Sequence, residues 1–266
     1  MNQRPAFPSP FQAVLLYLAL FLAEIVIGAV LRDANRILGL SLEQAGALTL
    51  VMANGCVFVV VMQFQQLTYR DLLHRSSASA TATLALIVPP VLLLVPALLL
   101  TMSVTQEVLV NLFPFSRGEE AGFEQMLNGS FAMVTIVCIL APILEEMLFR
   151  GIVLRGFLEH YPRRQAILWS AVMFGAAHLN IYQFVTGLVA GCLLGWLYER
   201  TRSLIPGIAL HAAFNSGAMV MSAWAKGPPG NAPLGATLPA WAMSLAAAAC
   251  GAFALRRMLT TRATTT

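Results

Sequence analysis

The chain has 266 residues, of which 58% are hydrophobic and only 11% charged, whereas a soluble domain carries roughly 25% charged residues. With a mean hydropathy of +0.75, that balance excludes an ordinary soluble globule and points to a polytopic membrane protein. The net charge of +4, from 16 basic and 12 acidic residues, includes no Lys/Arg run interleaved with aromatics, so the expected partner is the lipid bilayer and not nucleic acid.

The pattern predicts an all-α transmembrane bundle of about eight spans at about 20 residues each. They fall near 11–31, 45–67, 83–105, 131–160, 164–180, 182–199, 203–224 and 237–256. Pro5, Pro8 and Pro10 precede the first span, which lacks a short apolar core with a small-residue cleavage site and is expected to stay as a signal anchor. Ser76 to Thr83 is a small-residue linker, Lys226 to Pro233 a turn-rich loop, and Thr260 to Thr266 an expected frayed tail. Cys56, Cys138, Cys192 and Cys250 fall singly in separate apolar segments and read as small buried hydrophobes. Arg70 and Arg75, Arg155, Arg163 and Arg164, Arg200 and Arg202, then Arg256, Arg257 and Arg262 occupy alternate sides of the spans. The intervening loop from Glu107 to Glu124 carries four acids and only Arg117. Positive-inside bias therefore places both termini in the cytoplasm, although Arg32 and Arg36 then face outward.

The most apolar part of the chain, Phe131 to Leu144, runs without a charge into Glu145-Glu146-Met147-Leu148-Phe149-Arg150. Ionisable side chains at membrane depth are costly and mark a site by default. Glu146 and Arg150, four apart with the acid first, meet on one helical face and read as a buried ionic brace. Glu145 lies about 100° around the helix and has Phe149 at i+4. It is left over, and a carboxylate left over in an apolar bundle needs histidines, water or a metal. Of four histidines, His74 and His160 lie in polar linkers, whereas His178 and His211 lie inside apolar segments. If the fourth helix continues through Arg150 to about His160, Glu145 and His178 both come out roughly 22 Å above the cytoplasmic end and His211 roughly 12–16 Å, a difference that tilt absorbs. Gly187, Gly191 and Gly195 form a stripe that lets the intervening helix pack closely behind such a site.

Glu145-Glu-Met-Leu-Phe-Arg150, Phe174-x-x-x-His178 and His211-x-x-x-Asn215, in this order and with the glycine-striped helix between the last two, resemble the CPBP family (CAAX-protease-like, or Abi) of intramembrane proteases. The resemblance covers 131–222, about a third of the chain, and divides it into an N-terminal three-span region at 1–130, the core, and a last span with tail at 223–266. It implies hydrolysis of a peptide bond in a membrane-associated, possibly lipidated protein, as in type II CAAX prenyl endopeptidases. It further implies that Glu145 activates water with His178 helping to position it, that His211 and Asn215 donate to the oxyanion, and that Glu146 and Arg150 hold the helix. The family is often labelled a metalloprotease, so Zn2+ held by Glu145, His178 and His211 is the alternative to a metal-free, Glu145-activated water. The expected setting is a bacterial plasma membrane. Two other readings stay open: a secondary transporter, with Glu24 as a further acid at depth, and a non-catalytic bacteriocin-immunity-type protein.

Overall fold

The computed structural model describes residues 7–225 and 237–260, and within them the chain is all-α. Pro5, the Lys226 to Pro233 loop, Arg262, the Thr-rich end and both termini lie outside the described residues. In order, the helices are α1 (Pro10–Leu38), α2 (Leu42–Gln65), the short α3 (Tyr69–Leu73) and α4 (Ala80–Leu86), α5 (Val88–Leu112), and α6 (Arg117–Met126). There follow α7 (Phe131–His160), α8 (Arg163–Ala176), α9 (Ile181–Thr201), α10 (Ile205–Ala225) and α11 (Leu238–Thr260). Their starts are written locally. Ser9, Ser41 and Ser116 each accept from the backbone three residues on, and Gln12, Gln44 and Glu119 reciprocate. Those two bonds from Ser116, side chain and backbone, hold the Glu119 carboxyl below the usual carboxylate range.

Among the described residues six helices are long and apolar enough to cross a membrane: α1, α2, α5, α7, α9 and α11. This corrects the count of eight. The segment expected at 164–180 forms a helix of only 14 residues, about 21 Å long and short of a hydrocarbon core of about 30 Å. It stops because the backbone turns at Ala177 to Asn180, with Leu179 at φ 58°, and Asn180 then caps α9 by accepting from the Gln183 N–H. His178 therefore stands on a turn beyond a helix end, not within a span. Helix α10 has the length, 21 residues, but His211, Asn215, Ser216 and Ser222 dilute its apolar character.

The core forms where α7 to α10 meet; Leu154, Phe157, Leu194, Leu197 and Leu204 are all fully buried there. Helix α1 lies at the edge and turns Phe11, Leu22 and Val30 outward, as a lipid-facing helix should. Its Tyr17 hydroxyl donates to the Ala177 carbonyl at 2.9 Å and ties it to the turn that carries His178.

The glycine stripe of α9 packs on α8. A Cβ added at Gly187 would lie 2.9 Å from the Gly175 Cα, and one at Gly191 would lie 2.9 Å from the Ala171 Cβ. Gly191→Ala should therefore destabilise the protein by about 1–3 kcal/mol through overpacking. Gly46→Ala, in α2 with nothing within 4 Å of the new methyl, should be neutral or slightly stabilising. Thermal unfolding of both variants in detergent checks the pair; equal midpoints would remove the close-packing account.

Helix α7 is irregular where it carries the site. Ile136–Leu140 and Met147–Leu154 are wound as π-turns, flanking the segment Ala141–Glu146. The Ala141 N–H reaches back five residues to the Ile136 carbonyl. In that register the Val137 carbonyl would be served by residue 142, but Pro142 has no N–H to offer. Asn215 of α10 supplies the missing donor, its Nδ2 reaching Val137 O at 2.8 Å. Such wide turns gather at functional sites, where they rotate side chains off the regular helical register.

Candidate active site

Glu146 and Arg150 are both fully buried and joined at 2.7 Å between Oε1 and Nη1. The guanidinium is further held by the Gly191 carbonyl, which accepts from Nη2 at 3.3 Å, and by the Phe174 ring, whose centroid lies 4.4 Å from Cζ. Removing water from two charges costs several kcal/mol each, so such a pair persists only with further partners of this kind. The spacing of the sequence indicated the brace; the contacts from Gly191 and Phe174 were not foreseen. Gly207 leaves room for the second carboxylate oxygen, Oε2, which a Cβ there would approach to 3.0 Å.

His211 stands between the two glutamates. Its Nδ1 lies 3.2 Å from Glu146 Oε1 and its Nε2 lies 3.6 Å from Glu145 Oε2. A neutral imidazole has one N–H. Donated from Nδ1 to Glu146, it leaves the Nε2 lone pair facing the pocket beside Glu145. Glu146 is thus more than a helix brace: it fixes the ring that faces its neighbour. His178 uses Nδ1 on the Phe174 carbonyl at 3.0 Å. The Phe174 ring meets both His178 and His211 edge-on, at 5.4 and 5.6 Å between centroids.

Glu145, His178, His211 and Asn215 line one pocket of about 700 Å³. Glu145 is half-buried, and the brace lies behind it. The other walls come from α5, with Leu99, Met102 and Gln106, and from α6, with Phe123 and Met126. Sequence reasoning missed these, because apolar residues of an apolar chain carry no signature. The tilted stack of Phe115, Phe123 and Tyr182 at 4.4 to 6.1 Å closes the α6 side. Glu24, on α1, is half-buried and lies within electrostatic reach of Glu145.

The residues do not fit a zinc centre as they stand. Among the described residues no three of His, Cys, Asp and Glu converge closely enough to hold a metal ion. His211 already has a carboxylate at each ring nitrogen.

Comparison with known proteins bears on this geometry. Residues 127–217 match the family model described as "Type II CAAX prenyl endopeptidase Rce1-like". This segment is similar to the Rce1-like family. All seven residues of the three motifs fall inside it. The chain is 30% identical over 89 residues to the Bacillus subtilis (strain 168) protein named Putative membrane peptidase YdiL. That alignment takes in 34% of this chain and 36% of the relative, so the chain covers about a third of the relative's length. No solved structure matches the chain. The matched segment supplies the acids, the histidines and Asn215, whereas α5 and α6, which complete the pocket, lie before it.

Proposed function

We propose that this multi-pass membrane protein is an intramembrane endopeptidase that hydrolyses a peptide bond of a membrane-associated protein or peptide. The observation that carries the reading is the convergence of Glu145, His178, His211 and Asn215, from two helices and the turn after α8, on one largely apolar pocket. Glu145 accepts a proton from water as the water oxygen attacks the peptide carbonyl. His211, oriented by Glu146, and His178 position that water, each accepting through the ring nitrogen it has left. The C–N bond then breaks as the proton passes from Glu145 to the leaving nitrogen. In a poorly solvated hollow these preorganised groups act far more strongly than they would in water. Asn215 spends one amide hydrogen on Val137 and keeps a second for the oxyanion. The setting proposed is a bacterial plasma membrane with both termini cytoplasmic.

The test is the purified protein in detergent or lipid with a panel of lipidated and unlipidated peptides, with and without chelator. Cleavage that resists chelator is expected; loss of cleavage restored by Zn2+ would replace the metal-free mechanism. No cleavage of any substrate would leave the rival reading, a proton or ion pathway, which Glu24, within electrostatic reach of Glu145, favours. That reading requires proton-coupled flux in proteoliposomes.

A further inference from the structure

The end of the bundle away from α6 holds an arginine cluster that the proposed chemistry does not use. Leu73 to Arg75, after α3, pair with Arg202 to Leu204, after α9, in a short antiparallel bridge. The Arg75 N–H donates to the Arg202 carbonyl and the Leu204 N–H to the Leu73 carbonyl, each at 2.9 Å. His74 locks the bridge, with Nε2 donating to the Ala78 carbonyl at 2.7 Å and Nδ1 accepting from the Ser203 hydroxyl at 2.9 Å. This seats Arg75 and Arg202 side by side. Arg202 is held in the left-handed region, at φ 52° and ψ 33°, a conformation that side chains other than Gly and Asn adopt at a cost.

Arg155 enters from the last turns of α7. Its Nη1 is buried and, among the described residues, has no hydrogen-bond partner. Tyr198 of α9, itself only 3% exposed, has a hydroxyl within electrostatic reach of Arg155, Arg202 and Arg75 together. Arg75 and Arg155 repel one another. The nearby acids do not resolve this. Asp71 and Glu159 lie within electrostatic reach of Arg155, but among the described residues neither comes within 4 Å of any of the three guanidinium groups. Asp71 is committed to the Thr68 hydroxyl and N–H that cap α3. A buried, unpartnered guanidinium N–H beside two further arginines lacks an acceptor, and the rigid fork of each arginine suits the oxygens of a phosphate.

We propose that this arginine cluster binds a phosphate-bearing anion, gripped by Arg75, Arg155 and Arg202 near Tyr198. Two sources share that chemistry: the headgroup of an anionic phospholipid, since Arg155 stands at the end of a candidate span, and free phosphate. The bound anion would clamp the end of α7 to the loop from which α10 starts, and those two helices carry Glu145 and His211.

The test uses the full chain, purified free of lipid in a non-ionic detergent. It is titrated with inorganic phosphate, with short-chain phosphatidylglycerol and with short-chain phosphatidylcholine, following the thermal midpoint. Phosphatidylglycerol should raise the midpoint saturably, and phosphatidylcholine should not. A matching response to phosphate assigns the site to the free anion, and no response to phosphate assigns it to lipid. Arg75→Gln and Arg202→Gln, both at exposed positions that leave the core untouched, should each weaken binding about tenfold or more. Arg155→Gln should weaken it at least as much, and Arg36→Gln at the other end should change nothing. Absence of any titration in the unaltered protein, or equal affinities in all four variants, would overturn the proposal.

Discussion

Glu145→Gln should lower turnover by about 10²–10⁴-fold, the usual contribution of a positioned general base, while shifting stability by less than about 1 kcal/mol. The substitution keeps the volume and the hydrogen-bonding reach of the side chain and removes its capacity to take a proton. It should not unseat the helix. Glu145 is 28% exposed at its side chain, and His211 Nε2 stands 3.6 Å away. The imidazole keeps its firmer attachment to Glu146 at 3.2 Å. The two measurements have to be made together: single-turnover cleavage of the best peptide from the panel, and thermal unfolding of the same preparation. Turnover within threefold of the unaltered protein would remove Glu145 from the chemistry. A large loss of stability would show it to be a brace like its neighbour.

Two adjacent glutamates thus take different parts because of where one helical step of 100° leaves them. That much was legible in the sequence. The i, i+4 spacing of Glu146 and Arg150 pairs them, the pairing leaves Glu145 over, and the two histidines in apolar segments are its natural company. The glycine stripe was equally legible, because glycines at i, i+4 and i+8 can do little else in an apolar helix.

The rest depended on contacts between helices, which local spacing does not encode. Nothing in Gly191 says that its carbonyl will accept from Arg150. Nothing in Asn215 says that one of its amide hydrogens will go to Val137, although Pro142 in the middle of a helix does announce that some carbonyl must find another donor. The early end of α8 was misread because apolar composition continues past Ala176 through a turn. The walls given by α5 and α6 were invisible because Leu, Met and Phe there look like any lipid-facing side chain.

Arg150→Met should destabilise the protein by about 3–5 kcal/mol, the cost of leaving a buried charge without its partner. Methionine nearly fills the space and keeps an apolar contact with Phe174, so the loss reports charge more than volume. Glu146 would retain only His211 Nδ1, and its Oε2 already has no partner among the described residues. The brace and the pocket are coupled through that histidine. If Glu146 turns to solvent or takes up a proton, the ring loses the acceptor that aims Nε2 at Glu145, and turnover should fall along with stability. Glu146→Gln with Arg150→Met in one chain separates the two effects. Removing both charges should recover part of the stability, with a coupling of about 0.5–3 kcal/mol in a double-mutant cycle read by unfolding in mixed micelles. It should not recover turnover, because a glutamine at 146 holds His211 less firmly than a carboxylate does. Additive single costs would mean that the pair is not acting as a pair. Recovered turnover would mean that Glu146 has no part in orienting His211.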